Sequence, residues 1–171
     1  MKVLLIQPPY PFSEFPKPSS ALIFLGTVLR QAGAEVEILD LLSTRYSAQK
    51  IEQRLSRFQP DIIGATSVTL NFPLAIKILQ HAKTLAPEAT VIMGGPHVTF
   101  TAEETLRACP EVDIIVRGEG EETLRELTSA LDEGANLEKV KGLTFRRNGT
   151  ILRTEDRPFI QNLDLLPLPD R

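Results

Sequence analysis

Short apolar runs and helix-periodic segments alternate five times along this chain, and that alternation excludes most folds. The runs are Val3-Leu4-Leu5-Ile6, Val36–Leu39, Ile62-Ile63-Gly64-Ala65-Thr66, Thr90–Met93 and Ile114-Ile115-Val116. Each is too short for a buried helix and carries no polar alternation, as buried parallel strands do. Between them lie segments with apolar residues at helical spacing: Ala21 to Ala32, Ser47 to Phe58, Pro73 to the residues before Pro87, and Thr101 to Ala108. A fifth, Glu119 to Leu131, follows the last run. Strand–helix repetition of this kind defines an α/β fold, a doubly wound, mostly parallel five-stranded sheet. Right-handed crossovers leave two common strand orders, 3-2-1-4-5 and 2-1-3-4-5.

The punctuation agrees with the alternation. Ser19 or Ser20 can cap the first helix and Gly33 can end it. Pro73 stands where a first helical turn accepts proline. The five prolines at 8, 9, 11, 16 and 18 exclude a helix between Gln7 and Ser20. After Gly134 the character changes. Gly142 to Thr154 reads as a β-hairpin turning at Asn148-Gly149, and Pro158 to Arg171 reads as a proline-rich linker. The expected division is 1–134 for the α/β domain and 135–171 for the hairpin and linker.

Composition bounds the partners. A net charge of -3 offers no basic face for nucleic acid. The single cysteine, Cys109, excludes a disulfide framework and fits a cytoplasmic location. The apolar run at the amino terminus stops at Gln7-Pro8-Pro9, too short for a signal peptide or a membrane span.

Two runs end abruptly in glycine: Val91-Ile-Met-Gly-Gly-Pro-His97 and Asp113-Ile-Ile-Val-Arg-Gly-Glu-Gly-Glu121. Ligands of open α/β sheets bind outside the carboxyl ends of the strands, and glycine lets them reach the main chain. Familiar nucleotide sites fail on specific residues. The turn after the first strand is Gln-Pro-Pro-Tyr-Pro, not the glycine-rich turn of a dinucleotide fold, and there is no P-loop. Receiver-type acidic residues are missing after the first strand, and the third ends in Thr66-Ser67 rather than aspartate.

The ordered set Gln7-Pro8-Pro9, Leu25-Gly26, Ala32-Gly33, Asp40, Pro60-Asp61-Ile-Ile-Gly64, Gly94-Gly95-Pro96-His97 and Arg117-Gly118-Glu119-Gly120-Glu121 ends in Leu166-Pro167-Leu-Pro169-Asp-Arg171. It resembles the amino-terminal cobalamin-binding domain of B12-dependent radical SAM enzymes, the family of anaerobic magnesium-protoporphyrin monomethyl ester cyclases and hopanoid methylases. The resemblance implies a Rossmann-like or flavodoxin-like B12-binding sheet in the order 3-2-1-4-5. It also implies a cobalamin-binding module that is not catalytic alone. A radical SAM domain is expected beyond Arg171, supplying a [4Fe–4S] cluster, S-adenosylmethionine, and either methyl transfer or oxidative cyclisation.

The same resemblance assigns roles. Ser67 and Thr69 match hydroxyls that bond the cofactor's nucleotide tail. Gly94 and Gly95 match the paired glycines that let the tail lie against backbone; His97 follows that pair, a position from which a hydrogen bond to the tail is expected. Gly118, Glu119 and Gly120 match the turn beside the corrin periphery or tail. Pro8 and Pro9 open the loop facing the lower side of cobalt. That loop has no histidine, so a base-off cobalamin without a histidine ligand is expected.

The residues taken alone leave plainer readings open. A small-molecule domain without corrinoid, or a degenerate scaffold, has the same strand pattern. Glycines after a strand also make tight exits. His81 fits a packing role within a helix, and Cys109 fits a semi-buried spectator. Tyr10, Phe12 and Phe15 among the prolines suit either a loop clamp or a face covered by a partner domain.

Overall fold

Lys2–Gln7 forms β1, and its neighbours in the sheet are parallel strands on both sides, β2 (Glu35–Asp40) and β3 (Ile62–Thr66). β4 (Thr90–Gly94) and β5 (Ile114–Val116) continue the parallel sheet, which then gains an antiparallel hairpin, β6 (Leu143–Arg147) and β7 (Thr150–Arg153). The full order is β2-β1-β3-β4-β5-β6-β7. This computed structural model describes residues 1–11, 19–43, 46–162, 164 and 166–168.

The strand order corrects the expectation of 3-2-1-4-5. The reason lies in the strands themselves. β2 carries Glu35 and Glu37, and Glu37 meets Arg54 at 2.6 Å and Arg57 at 2.8 Å. Such a strand is solvated and belongs at an edge. β3 is apolar and carries Gly64, whose added Cβ would stand 3.1 Å from Ile92 and 3.2 Å from Leu5. Those neighbours are side chains of β4 and β1, so β3 is interior.

Helices α1 (Ser20–Gln31) and α6 (Glu121–Asp132) cover one face of the sheet. Helices α2 (Ala48–Phe58), α3 (Phe72–Leu85), α4 (Pro96–Phe100) and α5 (Ala102–Ala108) cover the other. Strand alternation sorts the core accordingly. Leu4 and Ile6 pack with Ile51, Leu55, Ile78 and Leu79, while Val3 and Leu5 pack with Leu22, Leu29 and Leu127. The Ser19 side chain accepts the Leu22 N–H at 3.4 Å and Ser47 accepts the Lys50 N–H at 3.2 Å, so both serines act as helix caps.

Two local differences from the expected elements have simple causes. α6 begins at Glu121, because Gly118 (φ +69°) still belongs to the turn. α4 is an extra turn of helix, nucleated by Pro96 in the first helical turn. The hairpin turns as expected, with φ of 51° at Asn148 and 78° at Gly149, the two positive values a type I′ turn requires.

Besides the β5–β6 ladder, one buried side chain ties the hairpin to the end of β5. The Arg117 guanidinium is 3% exposed. It donates to Leu143 O, to Thr144 Oγ1 at 2.6 Å, to Thr154 O at 2.7 Å and to Asp156 Oδ1 at 2.7 Å. Burial pushes its pKa down, while the hydrogen bond it donates to Asp156 opposes that shift. Beyond the hairpin, the chain lies as a strap over the start of α6: Arg157 donates to Thr123 Oγ1 at 2.9 Å and to Glu126. Among the described residues, no helix is long and apolar enough to cross a membrane.

Candidate functional site

β1 and β3 are neighbours, yet the helices following them leave to opposite faces of the sheet. That is the topological switch point, where open α/β sheets bind ligands. A cavity of about 240 Å³ opens there, between the sheet and the amino-terminal halves of α1 and α6. Its floor and walls are apolar: Leu5, Ile92, Val116, Leu22, Leu25 and Leu124. Its rim is main chain at strand ends, from Gly94, Gly95, Gly118, Glu119 and Gly120. Thr66 also borders it.

Five of the ten residues singled out from sequence therefore meet at this cavity: Gly94, Gly95, Gly118, Glu119 and Gly120. The other five do not line it. Ser67, 1% exposed, sits beneath the glycine pair: its N–H donates to Gly94 O at 2.9 Å, and its carbonyl accepts the His97 N–H at 3.3 Å. Its Oγ is buried with no hydrogen-bond partner. Thr69 and His97 engage each other, Oγ1 to Nδ1 at 3.2 Å, and the His97 ring lies 4.2 Å from that of Phe72. Pro8 is buried, and its carbonyl accepts from Gln7 Nε2 at 2.9 Å and Asn71 Nδ2 at 3.4 Å. Pro9 follows it, half-buried. Phe12 and Phe15 lie outside the described residues.

The glycines are not equivalent. At Gly95 (φ +100°) a Cβ would fall 2.5 Å from Ser67 O and 2.7 Å from Thr66 Oγ1. Glycine is thus required there by the protein's own loop, whatever binds. At Gly94 a Cβ would sit 3.5 Å from Val116 O, an ordinary contact, and at Gly120 it would press Leu25 Cδ2 at 3.1 Å.

Sequence reasoning missed the apolar wall of the cavity. Gly64 in mid-strand was the available signal, since glycine inside a strand often marks close approach of a ligand or backbone. It also missed Arg117 as the clamp of the hairpin. His81 has the packing role expected of it, with Nε2 3.3 Å from Glu52 Oε1 between α3 and α2. Cys109 is buried, and burial, with Glu111 nearby, raises its thiol pKa, so it stays protonated and unreactive.

The slot is apolar and opens through bare backbone onto the carboxyl edge of the sheet. Thr66 offers the slot a side-chain hydroxyl, and the unpaired Ser67 hydroxyl lies beneath its rim. The fold is a flavodoxin-like α/β domain, with an apolar cavity at its switch point. The comparisons narrow this. The B12 binding domain family matches residues 16–128, and the chain belongs to that family. An uncharacterized methyltransferase, PH0819, of Pyrococcus horikoshii is 38% identical over 99% of the chain and 38% of its own length. The anaerobic magnesium-protoporphyrin IX monomethyl ester cyclase of Synechocystis is 33% identical over 96% of the chain and 34% of its own length. The chain thus spans little more than a third of these relatives. Among solved structures, the radical S-adenosylmethionine methyltransferase TsrM of Kitasatospora setae, with cobalamin and a [4Fe–4S] cluster bound, shares the fold. Its TM-score is 0.80 at 24% identity, over 90% of this chain and 30% of that one. OxsB, a cobalamin-dependent S-adenosylmethionine radical enzyme with aqua-cobalamin bound, has a TM-score of 0.76 at 25% identity, over 92% of this chain and 22% of that one.

Proposed function

We propose that this cobalamin-binding module takes the nucleotide tail of cobalamin into the cavity between α1 and α6 and carries the corrin on the carboxyl edge of the sheet. The observation that carries the reading is the cavity itself, apolar within and rimmed by Gly94, Gly95, Gly118 and Gly120. The amino terminus of α1, with no acidic residue in its first turn, flanks the opening on one side, and α6, whose first turn carries Glu121 and Glu122, on the other; the anion-favouring end is that of α1. Helix amino termini favour anions, which suits the phosphodiester of the tail. Ser67 supplies a hydroxyl near the rim, and Glu119 and Gly120 close one side.

The cofactor is held base-off and without a histidine ligand. The chain has two histidines. His81 faces Glu52 between helices, and His97 is engaged by Thr69 and Phe72. Bound methylcobalamin offers a methyl group for transfer, and the protein tunes such a cofactor through its axial ligand and surroundings.

The whole protein is a radical SAM enzyme, performing methyl transfer or oxidative cyclisation with a [4Fe–4S] cluster and S-adenosylmethionine in a domain following this one. Residues 1–134 form the cofactor domain, and 135–171 form the hairpin and the linker toward its partner. Exposed apolar side chains support that partner: Leu70 is 67% exposed and Phe100 86%, each in a segment that follows a strand's carboxyl end. The reading places the protein in the cytoplasm, where a reduced cofactor and cluster persist.

Titration with hydroxocobalamin tests the binding, and electron paramagnetic resonance of the Co(II) form tests ligation. Saturable binding with no nitrogen hyperfine splitting from protein is expected. Splitting that disappears in His97→Ala overturns the base-off, ligand-free assignment, and a chain that ignores corrinoids is a degenerate scaffold.

A further inference from the structure

The rim of the cavity is built from two turns that have little to hold them together. The β4–β5 ladder ends at the pair Met93 and Ile115. Beyond it β5 bends toward the hairpin, and the Arg117 N–H donates to Gly142 O at 2.8 Å rather than to β4. β4 ends at Gly94 and turns at Gly95, and the turn after β5 runs from Gly118 to Gly120, so the glycines facing one another have no side chains to interlock. One hydroxyl spans the gap. Thr99 Oγ1 donates to Gly95 O at 3.0 Å and accepts the Gly118 N–H at 3.1 Å.

We propose that Thr99 is a positioning residue for the cofactor, whose hydroxyl latches the two glycine turns and so sets the width of the cavity mouth. Thr99 is not on the cavity wall; it acts through Gly95 and Gly118, which are. The geometry uses both capacities of a hydroxyl, one proton given and one lone pair filled. Gly95 and Gly118 both have positive φ, +100° and +69°, and Gly118 has nothing within 4 Å of an added Cβ. A glycine turn in open space has the widest conformational freedom, so a fixed hydrogen bond narrows it most. A mouth held at the right width spares the cofactor the cost of ordering it on binding.

The inference rests on the cobalamin reading of this cavity, and the test separates the two. Thr99→Val keeps the shape and the β-branch but loses the hydroxyl, while the Thr99 N–H still donates to Gly95 O at 3.1 Å and preserves α4. Thr99→Ser keeps the hydroxyl. The whole 171-residue chain is titrated with hydroxocobalamin, and amide exchange at Gly118 is followed without cofactor. Without the two hydrogen bonds the cofactor must order the mouth itself, which predicts an affinity about tenfold weaker in Thr99→Val, with Thr99→Ser within about twofold of wild type. Gly118 exchange should accelerate in Thr99→Val alone. A Thr99→Val chain that binds as tightly as wild type, or tighter, overturns the inference. So does a Thr99→Ser chain as weak as Thr99→Val, because packing of the methyl would then be the cause. A wild-type chain that binds no cobalamin refutes the reading of the cavity instead. Unchanged Gly118 exchange in Thr99→Val refutes the latch whether or not cobalamin binds.

Discussion

The Ile160 N–H donates to Glu119 Oε2 at 2.6 Å, tying the strap after the hairpin to the rim of the cavity between α1 and α6. Glu119→Ala should free that strap while leaving the sheet intact. Exchange of the Ile160 amide is expected to rise by an order of magnitude or more, with global stability lowered by about 1 kcal/mol. Hydrogen exchange with mass spectrometry reads the first and urea unfolding the second. An Ile160 amide as protected as in wild type would mean that other contacts hold the strap.

Arg117→Met should be far more costly. It removes the donors from Leu143 O, Thr144 Oγ1 and Thr154 O at the junction of β5 and the hairpin. Leu143 O keeps the Thr154 N–H at 2.9 Å, but Thr144 Oγ1 and Thr154 O lose the guanidinium, which predicts a loss of about 3 kcal/mol. Denaturant unfolding measures it, and a loss below 1 kcal/mol would show that water or neighbouring groups replace the guanidinium.

Acid should act on the same junction. The hydrogen bond from Arg117, with the charges of Arg117 and Arg153, holds the Asp156 carboxyl below its ordinary value of 3.8 despite an opposing desolvation effect. A depressed folded pKa means stability that is present above the unfolded value and lost as pH falls through the folded one. Wild type should therefore lose more stability than Asp156→Asn between about pH 5 and pH 2. Parallel pH profiles of the two proteins would show the ionic contact contributing nothing.

Gly94 and Gly95 should separate binding from folding. Gly94→Ala places its Cβ 3.5 Å from Val116 O and should fold normally, so any loss of cobalamin affinity reports on the cavity rim. Gly95→Ala puts a Cβ 2.5 Å from Ser67 O at a φ of +100°, and should destabilise the protein by about 2 kcal/mol before any ligand is added. Melting curves without cofactor, followed by titration, distinguish the two. A Gly95→Ala chain with the wild-type melting temperature would show the loop to be free to rearrange.

Ser67→Ala should behave in the opposite sense. Its Oγ is buried and unpaired, a cost in the empty protein. Stability without cofactor is expected to be unchanged or up to about 1 kcal/mol higher, and cobalamin affinity several-fold lower. Equal affinity would remove Ser67 from the site.

Much of the sheet was legible because a parallel strand must be apolar along its whole length, and Val3–Ile6, Ile62–Ala65 and Val91–Met93 are. Helix starts at Ser19 and Ser47 were legible because a capping hydroxyl acts locally. Strand order was readable in principle from Glu35 and Glu37, which mark β2 as an edge, but the family analogy pointed elsewhere. The glycine rim could be found because glycine at a strand end has few explanations. The apolar wall was hidden, since Leu22, Leu25 and Leu124 follow the same helical spacing whether they meet a ligand or a neighbour. The Arg117–Asp156 contact was hidden too, because its partners lie 39 residues apart and only the hairpin brings them together.

That separation has a consequence for synthesis. A chain emerging from its amino terminus completes the five parallel strands while Asp156 and Thr154 are still inside the ribosome. During that interval the outer edge of β5 is bare, and the Arg117 side chain has no pocket to fill. An unpaired apolar strand edge is a template for pairing with another chain. The arrival of Leu143 to Asp156 closes the edge and neutralises the arginine in one event. The hairpin therefore does for the β5 edge what the glutamates do for β2: it keeps that edge from pairing with another chain.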